Sequence, residues 1–108
     1  MHALDVLGDP VRRRLVELLA QGDRASGDLT EVIRAEFGIS QPAVSNHLRV
    51  LREAGFARAV PEGSRRIYSL EGERMTEVQT WAQQQLAFWG NRLDALETEL
   101  RRERKEAP

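Results

Sequence analysis

The chain has 108 residues, enough for one domain, and its 41% hydrophobic and 31% charged residues fit a folded soluble protein rather than a disordered one. It has no cysteine, which excludes disulfides, thiolate metal sites and thiol redox switches. A net charge of −1 argues at first against a nucleic-acid partner, yet Arg49, Arg52, Arg58, Arg65 and Arg66 face only Glu53 and Glu62 between Ser40 and Leu70. That segment carries +3 and the rest of the chain −4, the distribution of a footprint for phosphate set in an acidic body.

Ala3, Leu4, Val6 and Leu7 predict a brief helix that Gly8 ends. Asp9 offers an N-cap carboxylate and Pro10 a first helical position, where its missing N–H costs nothing. Val11, Leu15, Leu18 and Leu19 then form one helical face as far as Gly22. Ser26 is the next candidate cap, followed by Leu29, Val32, Ile33 and Phe37 as the apolar face of a helix ending at Gly38. Only Ile39 separates Gly38 from Ser40, a third cap, and Gln41-Pro42 open a helix over 41–54 that Gly55 stops. A turn this tight requires two helices that cross steeply.

Past Gly55 the period changes. Phe56, Arg58 and Val60, then Arg66, Tyr68 and Leu70, alternate around a Glu62-Gly63 turn signal, so a two-stranded ribbon is expected over 56–70. Helical periodicity returns near Glu73. Met75, Val78, Ala82, Leu86, Trp89, Leu93, Leu96 and Leu100 recur with a mean step of about 3.6, while Trp81 and Phe88 widen the face beyond a narrow coiled-coil seam. Such a helix runs roughly 40 Å, longer than a domain of this size is wide. The simplest cover for its stripe is the same helix of a second subunit. No apolar run approaches the ~20 residues that span a bilayer, so a cytoplasmic protein without membrane contact is expected.

At 100° per residue, Val44, Leu48 and Leu51 of the 41–54 helix fall on one side, and Pro42, Asn46 and Arg49 fall opposite, with Ser45 between. Gln and Asn can pair with adenine, Arg with guanine or phosphate, and Ser with either. The exposed face thus has the chemistry of a recognition helix, although a plain amphipathic surface helix would share the pattern. Arg65 and Arg66 lie just past the hairpin turn, where a wing reaches backbone or minor groove. The order of helix pair, polar face and basic hairpin favours DNA over a merely solvated surface.

The segment GISQPAVSNHLRVLREAGFARAVPEGSRRIYSL resembles the core of the ArsR/SmtB family of winged helix-turn-helix regulators, and ALDVLGDPVRRRLVELL resembles that family's opening helices. The resemblance implies a mainly α fold with a small β-hairpin: a DNA-binding core over 9–70, and dimerisation helices over 1–8 and 71–104. It implies a homodimer on double-stranded DNA with a two-fold symmetric operator, most simply a repressor. Carried over by position, Ser40, Gln41, Ser45, Asn46 and Arg49 take the recognition-helix places, and Gly63, Arg65 and Arg66 the wing. Leu4, Leu7, Val78, Leu86, Trp89, Leu93 and Leu96 take the dimer interface. Asn46 stands where many relatives have histidine, and the helix around DLTEVIRAEFGIS is about one turn longer than the usual form.

The family's metal sensors carry a cysteine pair before the recognition helix, or histidines and carboxylates on the last helix. Neither pattern is present, and Glu77, Asp94, Glu97, Glu99 and Glu103 read as a solvated acidic surface. His2 is the one weak metal candidate, through the terminal amine, an amide and the imidazole. His47 sits beside the core face of its helix, a place for packing or phosphate contact. Ser45 and His47 are about 200° apart on one helix and cannot act as nucleophile and base, so no enzyme and no cofactor are expected. Two rivals stay open. One is metal-responsive control through His2, acidic side chains or a separate sensor partner; the other is a helical interaction module that never touches DNA.

Overall fold

The computed structural model describes residues 1–106, and positions 107–108 of the span read as one domain lie outside them. Five helices and three strands follow in the order α1 (Ala3–Leu7), α2 (Pro10–Ala20), β1 (Arg24–Ala25), α3 (Ser26–Phe37), α4 (Gln41–Glu53), β2 (Ala57–Glu62), β3 (Arg65–Leu70) and α5 (Met75–Glu106). They gather into two compact units, Met1–Glu77 and the remainder of α5 from Val78.

In the first unit, local chemistry sets each helix boundary. Asp9 Oδ1 accepts from the backbone N–H groups of Val11 (2.8 Å) and Arg12 (3.2 Å), satisfying two of the four donors a helix start leaves free. Gly38 ends α3 in the left-handed region at φ 67°, its N–H returning to Arg34 O at 3.0 Å. Ser40 Oγ then accepts from Ala43 N at 3.3 Å and opens α4. The apolar faces meet in a core whose largest fully buried side chains are Phe56, Leu15, Leu29, Ile33, Leu51, Val6 and Val44. Across the surface, Arg14 on α2 grips Glu36 on α3 with two hydrogen bonds, 2.8 and 2.9 Å. That contact holds the Glu36 carboxyl below its ordinary range.

Four readings of the sequence need correction. Ser26 is not a cap: Ala25 holds that position without a side-chain bond, and Ser26 is the first helical residue. The reason is β1, in which Arg24 and Ala25 pair antiparallel with Tyr68 and Ile67 and keep the backbone extended up to the helix. The ribbon is therefore a three-stranded sheet of order β1-β3-β2, because a two-residue strand is too short to show a period. The hairpin turn lies one residue later than expected, at Gly63-Ser64, with Glu62 and Arg65 as the closing pair. Gly63 at φ 62°, followed by a residue with no positive φ, matches a II′ turn, whose twist suits paired strands. Phe37, read as part of the apolar face of α3, is 37% exposed at the end of its helix.

The last helix is one continuous element of 32 residues, about 48 Å long. Within its own unit the stripe is open: Leu86 is 72% exposed, Leu93 61% and Trp89 55%, and Phe88 and Trp89 meet edge to face at 5.7 Å. No helix is long and apolar enough to cross a membrane among the described residues.

Candidate nucleic-acid interface

Helix α4 separates its residues as the 3.6-residue period demands. Val44, Leu48 and Leu51 are buried, and Gln41, Pro42, Ser45, Asn46, Arg49 and Glu53 are exposed. Asn46, Arg49 and Glu53 follow at i, i+3 and i+7, which places all three along one outward stripe. They are also bonded to one another. Arg49 Nη2 donates to Asn46 Oδ1 at 2.6 Å, and Arg49 Nη1 donates to the Glu53 carboxylate at 3.1 and 3.2 Å. Glu53 was not singled out in the sequence, though its i+4 spacing from Arg49 is a legible pairing signal.

One flank of α4 opens into a cleft of about 420 Å³ shared with α3 and β3. Ser26, Gly27 and Thr30 line its α3 side, Gln41, Ser45, Arg49 and Arg52 its α4 side, and Arg66 and Tyr68 its floor in β3. Arg52 and Arg66 make no ion pair among the described residues, so the cleft keeps its positive potential. Arg52 belongs to the basic segment seen in the sequence, but its place in the cleft was not legible there, since only the packing of β3 against α3 brings its surroundings together. On the other flank, His47 Nδ1 lies 3.4 Å from Arg12 Nη1 and 4.0 Å from Asp9 Oδ1, a half-buried packing position against α2. Both wing arginines are exposed at the start of β3, and Arg65 reaches Asp28 on α3 at 3.3 Å.

The first unit ties the end of α4 to both chain-terminal elements through Arg74, which sequence reasoning also missed. Arg74 Nη1 donates to Ala54 O at 2.7 Å and so satisfies a carbonyl just past the last turn of α4; Nη2 donates to Met1 O at 2.6 Å. Its guanidinium also sits 5.6 Å from the Phe56 ring centre and pairs with Glu77 at 2.9 and 3.0 Å. Glu77 in turn accepts from Ala3 N at 3.0 Å. The hydrogen bond from Arg74, then that from Ala3, hold the Glu77 carboxyl down at about 2, against an ordinary 4.5.

His2 is occupied as the N-cap of α1: its Nδ1 accepts from Leu4 N at 3.0 Å, and its own N–H donates to Asp5 at 3.1 Å. Its Nε2 lies 3.9 Å from Glu77. Among the described residues no three His, Asp or Glu side chains come together as a metal cluster. Of the residues read as a dimer interface, Leu4, Leu7 and Val78 are half-buried, and Leu86, Trp89, Leu93 and Leu96 are exposed.

Residues 9–59 match the model of the family described as bacterial regulatory protein, arsR family. The chain is 38% identical over 79 residues to the HTH-type transcriptional regulator Rv2034 of Mycobacterium tuberculosis, covering 73% of this chain and 70% of that one. It is 33% identical over 80 residues to the transcriptional repressor SdpR of Bacillus subtilis, covering 74% and 84%. Two solved structures share the fold. One is a possible transcriptional regulator for arsenical resistance, with TM-score 0.69, 34% identity and coverage of 92% and 96%. The other is the homodimeric winged helix-turn-helix DNA-binding domain of Mb0332 from Mycobacterium bovis, with TM-score 0.57, 28% identity and coverage of 73% and 69%. With its helix pair, hairpin and long last helix, the chain belongs to the arsR family of bacterial transcriptional regulators.

Proposed function

We propose that the protein is a homodimeric repressor that lays α4 of each protomer in the major groove of a two-fold symmetric operator, with the Gly63-Ser64 wing beside it. The observation that carries this reading is the outward polar stripe of α4, Asn46 with the Arg49–Glu53 pair, next to a cleft whose Arg52 and Arg66 make no ion pair among the described residues. Ser40, Gln41, Ser45, Asn46 and Arg49 would meet bases and phosphates from α4, and Arg65 and Arg66 would meet backbone from the wing.

Dimerisation through Leu4 and Leu7 of α1 and through Val78, Leu86, Trp89, Leu93 and Leu96 of α5 is supported by the open stripe of α5 and by the homodimeric relative from M. bovis. Two recognition helices then address half-sites about 10 bp apart, or a multiple of that. Repression by occluding the promoter follows the named activity of the B. subtilis relative. Within this reading the protein works in the cytoplasm. Its signal arrives through a separate sensor protein or an effector held without thiolates, since the chain has no cysteine.

The test is anisotropy of the purified protein with duplexes selected from its source genome, measured over a salt series. Expected are saturable binding at symmetric sites and a log–log salt slope that reports several phosphate contacts. Binding that ignores both salt and sequence, or no binding, contradicts the proposal and leaves the helical interaction module as the reading.

A further inference from the structure

Resting on that reading of α4, we infer that Asn46 reads its base chiefly as a hydrogen-bond donor. A free asparagine presents one acceptor and one donor group side by side, the pattern that matches adenine N6 and N7. Asn46 is not free. Its Oδ1 receives Arg49 Nη2 at 2.6 Å, and the amide orientation is fixed by chemistry, because a guanidinium has donors and no acceptor. Glu53 then holds the other terminal nitrogen of Arg49 at 3.1 and 3.2 Å, so the arginine is anchored on both sides along the same stripe.

What stays fully open to a base is the Nδ2 group of Asn46 with its two N–H donors, because the second lone pair of Oδ1 lies beside the Arg49 guanidinium, whose N–H groups repel a further donor. Its match is a base edge that offers acceptors: guanine, with O6 and N7, or thymine, with O4. Adenine still offers N7, but its N6 donors would have to share Oδ1 with the Arg49 guanidinium, and a buried donor poorly matched is penalised. Glu53 is thus a specificity-determining residue that acts through Arg49, and the pair carries no net charge toward the phosphates.

Selection from a library of duplexes with a randomised core tests this, using the full chain, Asn46→Ala and the double variant Arg49→Ala/Glu53→Ala. The double variant removes one positive and one negative charge together, so the net charge of α4 is kept while Asn46 Oδ1 is released. All three sites are exposed, and circular dichroism checks that each variant folds. Asn46→Ala locates the base that Asn46 reads. At that position the unmodified chain is expected to prefer guanine or thymine over adenine about three- to tenfold, the worth of one hydrogen bond, and the double variant is expected to turn toward adenine. Adenine already preferred by the unmodified chain overturns the inference, as does an unchanged base in the double variant, or enrichment with no position sensitive to Asn46; each leaves DNA reading by α4 intact. No enriched duplex at all refutes the proposed function and this inference with it.

Discussion

Arg49 sits at the junction of structure and recognition, because the same guanidinium that would meet DNA already bonds Asn46 and Glu53. Arg49→Ala is expected to weaken operator binding, and anisotropy titrations that superimpose on those of the unmodified chain would count against the groove assignment. Arg65→Ala or Arg66→Ala should flatten the salt dependence by roughly one unit of slope for each phosphate no longer neutralised, since each neutralised phosphate releases about one counterion. Glu77 gives a separate test of the scaffold. Its carboxyl is held at about 2 by Arg74 and Ala3, below the ordinary 4.5, so its stabilising effect is complete above the unfolded value and fades as pH falls from 4.5 toward 2. Glu77→Gln should lower the thermal midpoint at pH 7, with the gap to the unmodified chain closing across that acid range. A gap that stays constant with pH would show that the carboxylate charge is not what holds α1, α4 and the start of α5 together.

Elements were legible where their signals were long and redundant. Helices α2 and α4 lie where period, Pro10 and Gln41-Pro42 placed them, because apolar spacing and terminal chemistry agreed at each, whereas α3 ends at Gly38 as expected but starts at Ser26 without a side-chain cap. The two-residue β1 was not legible, since its pairing with β3 spans more than 40 positions and leaves no local pattern. The hairpin was read correctly but its turn was one residue early, as Glu62 looks like a turn residue and Ser64 like a strand residue until the register decides. At the site, the outward face of α4 followed from helix geometry. The cleft and Arg74 did not, because both are assembled by tertiary packing. Two substitutions probe these elements. Ser40→Ala removes the bond to Ala43 N and should cost about 1 kcal/mol in urea unfolding; a change near zero would mean that water caps α4 equally well. Leu86→Asp or Leu93→Asp places a charge in the open stripe of α5 and should yield monomers or unfolded chains in sedimentation, whereas a fully folded dimer would refute the α5 interface.

The molecule as a whole is a case of unequal burial. Residues 1–77 make a closed core of their own, with no buried polar or charged residue among those described. The remainder of α5 leaves Trp81, Leu86, Phe88, Trp89, Leu93, Leu96 and Leu100 between 44% and 72% exposed. Apolar surface in that amount is unfavourable in water, and a second copy of the same helix is the symmetric way to cover it. In the proposed function recognition depends on pairing: one α4 stripe is short, and two held at the spacing of successive major grooves would make an operator reader. Sedimentation velocity of the protein with a labelled duplex carrying one selected symmetric site tests that link most directly. Two chains per duplex, with half-sites about 10 bp apart or a multiple of that, is the expected result; a single chain bound per site with full affinity would contradict it.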